Sequence, residues 1–326
     1  MHKRLVPVLA AAFAVAGTLG ATAQDKLTLQ LKWVTQSQFA GYYVAKEKGF
    51  YADENLDVTI LPGSPNIAPE QVMAGGGADV AVAWAGGALV AREKGVPLVN
   101  IAQPYAKSGL MMICPTETGI TTEADFPNRT LGVWFFGNEY PFFAWMNKLG
   151  LATDGSDGGV KVLQQSFDIQ PMIQQQADCI SVMTYNEYGQ ALDAGYGPDN
   201  LTIFNYTDMG NDLLEDGLWA LEDRLADPAF ADQMVRFVRA SMKGWDYALA
   251  NLDEAARIVV DSDDTGAATF EHERYMVGEV TKLMGDANGK LNTEVWDRTV
   301  QALLAQSILT TEPDAGAYTT AITDKM

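Results

Sequence analysis

Histidine is almost absent from this chain. Only His2 and His272 occur in 326 residues, and His2 lies in a leader-like N-terminus. A multi-histidine metal centre and a Ser-His-Asp triad are therefore nearly excluded. Positive charge is also scarce: 22 Lys and Arg face 42 Asp and Glu, a formal net charge of −20. Such a surface repels nucleic acid and anionic membrane and raises no general field to gather anionic ligands. There are two cysteines, Cys114 and Cys179, each inside an apolar run. Two buried thiols and a disulfide both remain open, since sequence does not give the distance between them. The chain has no CxxC, no P-loop and no GxGxxG. Gly75-Gly76-Gly77-Ala78 precedes a strand pattern rather than following one, so it reads as a helix stop and not as a phosphate cradle. No long apolar stretch follows residue 23. No cofactor and no metal are expected.

What is present begins with an address. Met1-His2-Lys3-Arg4 is a short basic segment, Leu5 to Leu19 is apolar or small throughout, and Ala21-Thr22-Ala23 fits an A-x-A cleavage pattern. The apolar run is shorter than the roughly 20 residues a bilayer span needs. No cysteine follows it for lipid attachment. The expectation is a signal peptide over 1–23, cleaved after Ala23, and a soluble periplasmic product that starts at Gln24. Loss of Lys3 and Arg4 makes that product more acidic still.

The remainder, 24–326, is long for one core and favours two lobes. Strand and helix patterns alternate: strands at Leu27–Leu31, Leu56–Leu61, Asp79–Trp84 and Leu98–Ala102, with helices at Phe39–Lys48, Ala68–Ala74 and Ala88–Lys94. The rhythm restarts near Lys107, with strands at Leu110–Cys114, Thr130–Phe135, Val162–Phe167, Cys179–Thr184 and Leu201–Phe204. Helices are expected at Pro141–Leu149, Ile169–Gln176 and Glu187–Ala194, and Thr122 with Asp125 has the spacing of a capping box. After Gly217-Leu218-Trp219-Ala220-Leu221 the composition changes, and from Pro228 onward the chain reads as helices. Phe230, Met234, Phe237, Val238, Met242 and Trp245 recur there at helical spacing, as core residues do. Glu271-His272-Glu273-Arg274 reads as a solvated helix face. The pattern is that of mostly parallel α/β sheets with covered faces.

Open α/β sheets bind ligands beyond the carboxyl ends of their strands. Four segments in such places share a composition: Lys32 to Phe39, Trp84 to Gly87, Phe135 to Tyr140, and Tyr185 to Tyr188. They combine aromatics, amides and carboxylates, which suits a flat polar ring: aromatic faces stack, and Asn, Gln and Glu read its edge. Trp33 and Trp84 are the expected walls on one side. Asn138, Glu139, Tyr185, Asn186 and Glu187 are the expected edge readers on the other, with Gln38 and Asp208 as further candidates. The only cation in the four segments is Lys32, and Lys107 is nearby. Two carboxylates and little positive charge favour a ring with NH donors over a nitrate or sulfonate.

The chain also resembles a known group. Leu31-Lys32-Trp33, then Tyr43-Val44-Ala45-Lys46-Glu47-Lys48-Gly49-Phe50-Tyr51 and Glu54-Asn55-Leu56-Asp57-Val58, are similar to the opening of the ABC-transporter substrate-binding proteins for nitrate, taurine and sulfonates. Gly75 to Asp79, Arg92 to Val99, Leu131-Gly132-Val133 and Gln176-Ala177-Asp178 continue the similarity over nearly the whole of 24–326. Within the group the Leu-x-Trp opening most resembles the thiamine-pyrimidine precursor and riboflavin-binding branch. The resemblance implies a type II periplasmic-binding fold, two α/β lobes with a hinge and a cleft between them. It also implies an aminopyrimidine-like ring held between aromatics, with Trp33 at the family's tryptophan and Glu187 near its second-lobe acid. The branch includes a pyrimidine-precursor synthase that needs a lysine for pyridoxal phosphate and a histidine four residues later. Ala83 and Gly87 stand at those positions, so no Schiff base can form.

These readings combine into one expectation. Residues 24–106 with 208–326 form lobe one, 107–207 form an inserted lobe two, and the crossings near Tyr105 to Ser108 and Tyr206 to Asp208 form the hinge. The protein is expected to be a monomer without catalysis. It would deliver a small heteroaromatic nutrient to an ABC permease and ATPase. The alternatives are a sulfonate or nitrate ligand on the same fold and, in another class, a synthase-like enzyme.

Overall fold

The structure, a computed structural model, describes residues 23–285 and 288–326. The expected signal peptide lies outside the described residues except for Ala23. Among the described residues no helix is long and apolar enough to cross a membrane.

The chain opens with β1 (Asp25–Gln30), α1 (Ala40–Glu47), α2 (Phe50–Asp53), β2 (Leu56–Leu61), α3 (Pro69–Ala74), β3 (Val80–Ala83), α4 (Ala85–Glu93) and β4 (Leu98–Ala102). It continues through β5 (Leu110–Pro115), β6 (Thr130–Val133), α5 (Tyr140–Leu149), β7 (Lys161–Gln164), α6 (Gln170–Ile173), β8 (Cys179–Met183), α7 (Glu187–Asp193) and β9 (Leu201–Asn205). Then come β10 (Gly217–Leu221), α8 (Glu222–Leu225), α9 (Pro228–Ala250), α10 (Leu252–Asp261), α11 (Phe270–Met284) and α12 (Thr293–Ala305).

Among the described residues ten strands make two five-stranded sheets, ordered β2-β1-β3-β10-β4 and β7-β6-β8-β5-β9. Each is mixed rather than simply parallel. β10 runs antiparallel between β3 and β4, and β5 runs antiparallel between β8 and β9. The chain enters the second sheet between β4 and β5 and returns to the first between β9 and β10. This is the α/β architecture expected, with one correction: Gly217–Leu221, passed over as a strand, is β10 and lies inside the first sheet. Its four buried residues make a short apolar run with no alternation, as a strand covered on both faces does.

The helical return packs on the first sheet. The stripe from Phe230 to Trp245 on α9 is buried as its spacing implies. α1 crosses α9 at close range because both helices present glycine at the contact. A Cβ on Gly41 would fall 2.2 Å from the Trp245 indole, and one on Gly244 would fall 2.1 Å from the Gly41 carbonyl oxygen. Thr122 and Asp125 form the expected capping box on a single 3₁₀ turn. α6 is only four residues where eight were expected, and it is followed by Gln175 at φ 55°. Cys114 and Cys179 form a disulfide between the neighbouring strands β5 and β8.

Candidate functional site

β1 ends in Gln30, and the chain then turns through Lys32-Trp33-Val34-Thr35 into a 3₁₀ turn at Ser37–Phe39. The buried Glu273 carboxylate of α11 accepts from the Ser37 backbone N–H at 2.6 Å and fixes that turn. β3 ends at Ala83, so Trp84 sits at the α4 N-terminus with its side chain turned inward. On the opposite side, β6 stops at Val133 and releases Trp134, and β8 stops at Met183 before Tyr185 and α7. These strand ends meet. Lys32, Trp33, Gln36, Gln38 and Trp84 from the first-sheet side, with Trp134, Asn138, Met183, Tyr185 and Glu187 from the second, line one cavity. Trp33 and Trp134 touch edge-to-face across it, centroids 5.9 Å apart at 70°. Its free volume is about 20 Å³, room for roughly one water, so the two sides are closed on each other.

The cavity wall is hydrogen-bonded within itself. Gln36 Nε2 donates to Gln38 Oε1 at 2.7 Å, and Gln38 Nε2 donates to Asp216 Oδ2 at 2.6 Å. Trp84 Nε1 donates to Asp216 Oδ1 at 2.8 Å. Asn186 Nδ2 donates across the cleft to Gln36 Oε1 and to Glu187 Oε1. Glu187 Oε2 accepts from the Met183 backbone N–H at 3.0 Å. Burial pushes the Glu187 carboxyl up to about 7, against the pull of that N–H. Burial likewise raises Asp216 to about 6, opposed first by the Gln38 bond. Asp216 adopts φ 42°, a left-handed backbone that aims its carboxylate between Gln38 and Trp84 and stores local strain.

Lys32 differs from its neighbours. It is buried, lines the cavity, and its Nζ has no hydrogen-bond partner among the described residues. The ammonium lies 4.8 Å from the Trp84 ring centroid. Burial lowers its pKa, partly offset by Glu70, Asp216, Glu139 and Glu215.

Two crossing segments join the sheets beside this cavity, and Glu215 ties them. Its carboxylate accepts from the Ser108 hydroxyl and, at 3.0 Å, from the Gly109 backbone N–H. Burial pushes it up to about 8. Farther out, α11 also grips the second-sheet side. His272 Nε2 lies 2.8 Å from Asn186 Oδ1, and the Tyr275 hydroxyl donates to the Thr184 carbonyl at 2.9 Å. His272 is thus half-buried in a bridge, not on a solvated face.

Seven of the nine candidate residues come together here: Trp33, Gln38, Trp84, Asn138, Tyr185 and Glu187 in the wall, and Asn186 just behind it. Two do not. Asp208 is exposed in the turn after β9. Glu139 folds back on its own loop, where Oε2 accepts from the Gly137 backbone N–H at 2.8 Å. It lines a separate groove with Glu70, Gly87 and Phe136. Missed were Gln36, Trp134, Met183, Asp216 and the freedom of Lys32. The expected strand over Thr130–Phe135 runs two residues past the end of β6 and so covers Trp134, while Met183 is the last residue of β8, where a strand residue still reaches the cavity. Asp216 precedes the strand that went unread.

Known proteins give this geometry a setting. A formylaminopyrimidine-binding protein of Halalkalibacterium halodurans is 23% identical over 319 residues, 94% of each chain. The riboflavin-binding protein RibY of Chloroflexus aurantiacus is 25% identical over 304 residues, 89% of this chain and 83% of that one. Among solved structures, an alkanesulfonate-binding protein of Xanthomonas axonopodis pv. citri, bound to MOPS, superposes with a TM-score of 0.64 at 13% identity, covering 92% of this chain and 99% of the other. A desulfurization enzyme shares the architecture too, with a TM-score of 0.58 at 13% identity over 91% and 98% of the chains. These structural likenesses show the periplasmic-binding fold and leave chemistry open, because binding proteins and an enzyme share it. The NMT1/THI5-like family model matches residues 36–255, which span most of the cavity wall, and the chain belongs to that family.

Proposed function

We propose that this chain is the substrate-binding component of an ABC importer and that it captures a small heteroaromatic nutrient, of thiamine-pyrimidine precursor or flavin type, for delivery to a membrane permease and its ATPase. The observation that carries the reading is the meeting of three indoles, Trp33, Trp84 and Trp134, with an amide network inside a cleft between two sheets. Indole faces gain from stacking on a flat ring, and amides discriminate at its edge. Residues 24–106 with 208–326 act as one lobe and 107–207 as the other. With only about 20 Å³ free in the closed form, a ring enters when the lobes swing apart about the two crossings. The names of the relatives, for a formylaminopyrimidine and for riboflavin, support this ligand class.

We place the protein in the periplasm as a monomer, released by cleavage after Ala23. The disulfide agrees with an oxidising compartment, where such bonds persist. Mass measurement of the secreted chain is expected to show Gln24 first. No catalysis is assigned: Ala83 and Gly87 supply neither the amine nor the imidazole the related synthase uses. Incubation with pyridoxal phosphate is expected to give no aldimine absorbance. The deciding experiment is mass spectrometry of small molecules released from the purified, denatured protein, followed by tryptophan fluorescence titration. Pyrimidine precursors or flavins are expected to bind, and nitrate and taurine are not. Tight taurine binding without any aromatic ligand would sink the ring reading and keep the transport one.

A further inference from the structure

A buried donor without a partner is costly, and a charged one more so. Much of the polar lining of the cavity is engaged by the chain itself. Gln36 Oε1, Gln38 Oε1, both Asp216 oxygens and both Glu187 oxygens each accept a hydrogen bond from within the protein. Lys32 Nζ is the charged donor of that lining, buried and unpartnered among the described residues while its side chain lines the cavity. The amide and carboxylate oxygens of Gln36, Gln38, Asp216 and Glu187 thus each have a partner within the protein, and the charged donor has none.

Resting on the ring-binding reading above, we propose that Lys32 is the specificity-determining residue of the cleft and that the ligand presents a neutral ring carbonyl to its Nζ. A carbonyl accepts from an ammonium or from a neutral amine, so the contact holds in either protonation state. A full anion is disfavoured. Lys32 lies within the electrostatic reach of four acidic side chains, Glu70, Asp216, Glu139 and Glu215, and a ligand anion would be buried beside those that ionise, in a site with one cation. A ring that turns an amino group toward Lys32 fares worse as well, since a donor there leaves the Nζ without an acceptor. Lys32 also couples recognition to closure: when the cleft shuts on a ring without the carbonyl, the Nζ is left buried and unmet.

The test compares riboflavin, which carries a ring dione, with 4-amino-5-hydroxymethyl-2-methylpyrimidine, which has no carbonyl, on wild type, Lys32→Met and Trp33→Ala. Wild type is expected to bind riboflavin at least tenfold more tightly than the aminopyrimidine. Lys32→Met is expected to lose at least tenfold in riboflavin affinity and less than threefold in aminopyrimidine affinity. Unliganded Lys32→Met is expected to melt at or above the wild-type temperature, because it removes an unmet buried charge. An unchanged riboflavin affinity in Lys32→Met overturns the proposal, as does tighter binding of the aminopyrimidine by wild type. A clear fall in the unliganded melting temperature would assign Lys32 a structural ion-pairing role and overturn it too. In those cases the ring reading survives, provided Trp33→Ala still weakens binding. If neither ring binds wild type, the ring reading fails and this proposal falls with it.

Discussion

At the residue scale, the cavity wall is made of indoles and of polar side chains that bond one another. Trp33 and Trp84 stand out because a large side chain just past a strand end has to go somewhere, and the cleft is where it goes. Trp33→Ala is expected to weaken ring binding by tenfold or more, since about 1.4 kcal/mol is a factor of ten and stacking alone contributes about 0.5–1.5 kcal/mol beyond buried area. Isothermal titration checks this, and an unchanged affinity would remove Trp33 from the site. Polar side chains choose partners in three dimensions. Glu139 and Glu187 have similar places in the sequence, yet one caps its own loop and the other is locked by Met183 and Asn186. Buried acids also set a pH response. Glu187, Asp216 and Glu215 titrate near 7, 6 and 8 in the folded protein, well above the carboxylate range of roughly 4 in an unfolded chain. The folded state therefore holds more protons, and its stability falls as pH rises from about 4.5 through these values. The melting temperature is expected to be higher near pH 5 than near pH 8.5, and a flat or rising profile across that interval would contradict the burial of these groups.

At the element scale, helix stops and apolar runs in the sequence located most strands and helices, Leu56–Leu61 to the residue. α6 and β10 depart from expectation for identifiable reasons. α6 contracts to one turn, and local pattern cannot see where tertiary contacts end a helix. β10 was hidden because no turn residues set it off from the helical region that follows, and its place in the sheet depends on partners more than a hundred residues away. Covalent linkage was equally illegible. The disulfide joins β5 to β8 across a sequence separation of 65, and closing such a loop stabilises the folded chain by about 4 kcal/mol in the chain-entropy model. The Cys114→Ser, Cys179→Ser double variant is expected to fold with a markedly lower denaturation midpoint and unchanged ligand selectivity. An equal midpoint would show that the strand pairing alone sustains the middle of that sheet.

At the scale of the whole molecule, closure depends on how near two backbones can come. Gly87 on α4 faces Gly137 on the loop before α5. A Cβ on Gly87 would lie 2.6 Å from Glu70 Oε1 and 3.0 Å from the Gly137 Cα. Gly87→Ala is expected to wedge the cleft. Small-angle scattering with ligand present should report a larger radius of gyration than wild type, and affinity should fall by tenfold or more. Unaltered scattering and affinity would mean the two sides tolerate the methyl group. The two crossings carry a different consequence. β4 and β10 are antiparallel neighbours in one sheet, and β5 and β9 are antiparallel neighbours in the other. The chain thus leaves and re-enters the first sheet at adjacent strands, as though the whole second sheet had been spliced into the bend of a hairpin. A two-residue Asn-Gly bend is what such strands ordinarily require, so replacing the segment between β4 and β10 with a short bend leaves a complete five-strand sheet and its helices. The architecture can be dissected at a single seam: one half keeps Lys32, Trp33 and Trp84, the other is removed as a contiguous piece, and each half becomes a molecule that can be asked separately what it holds.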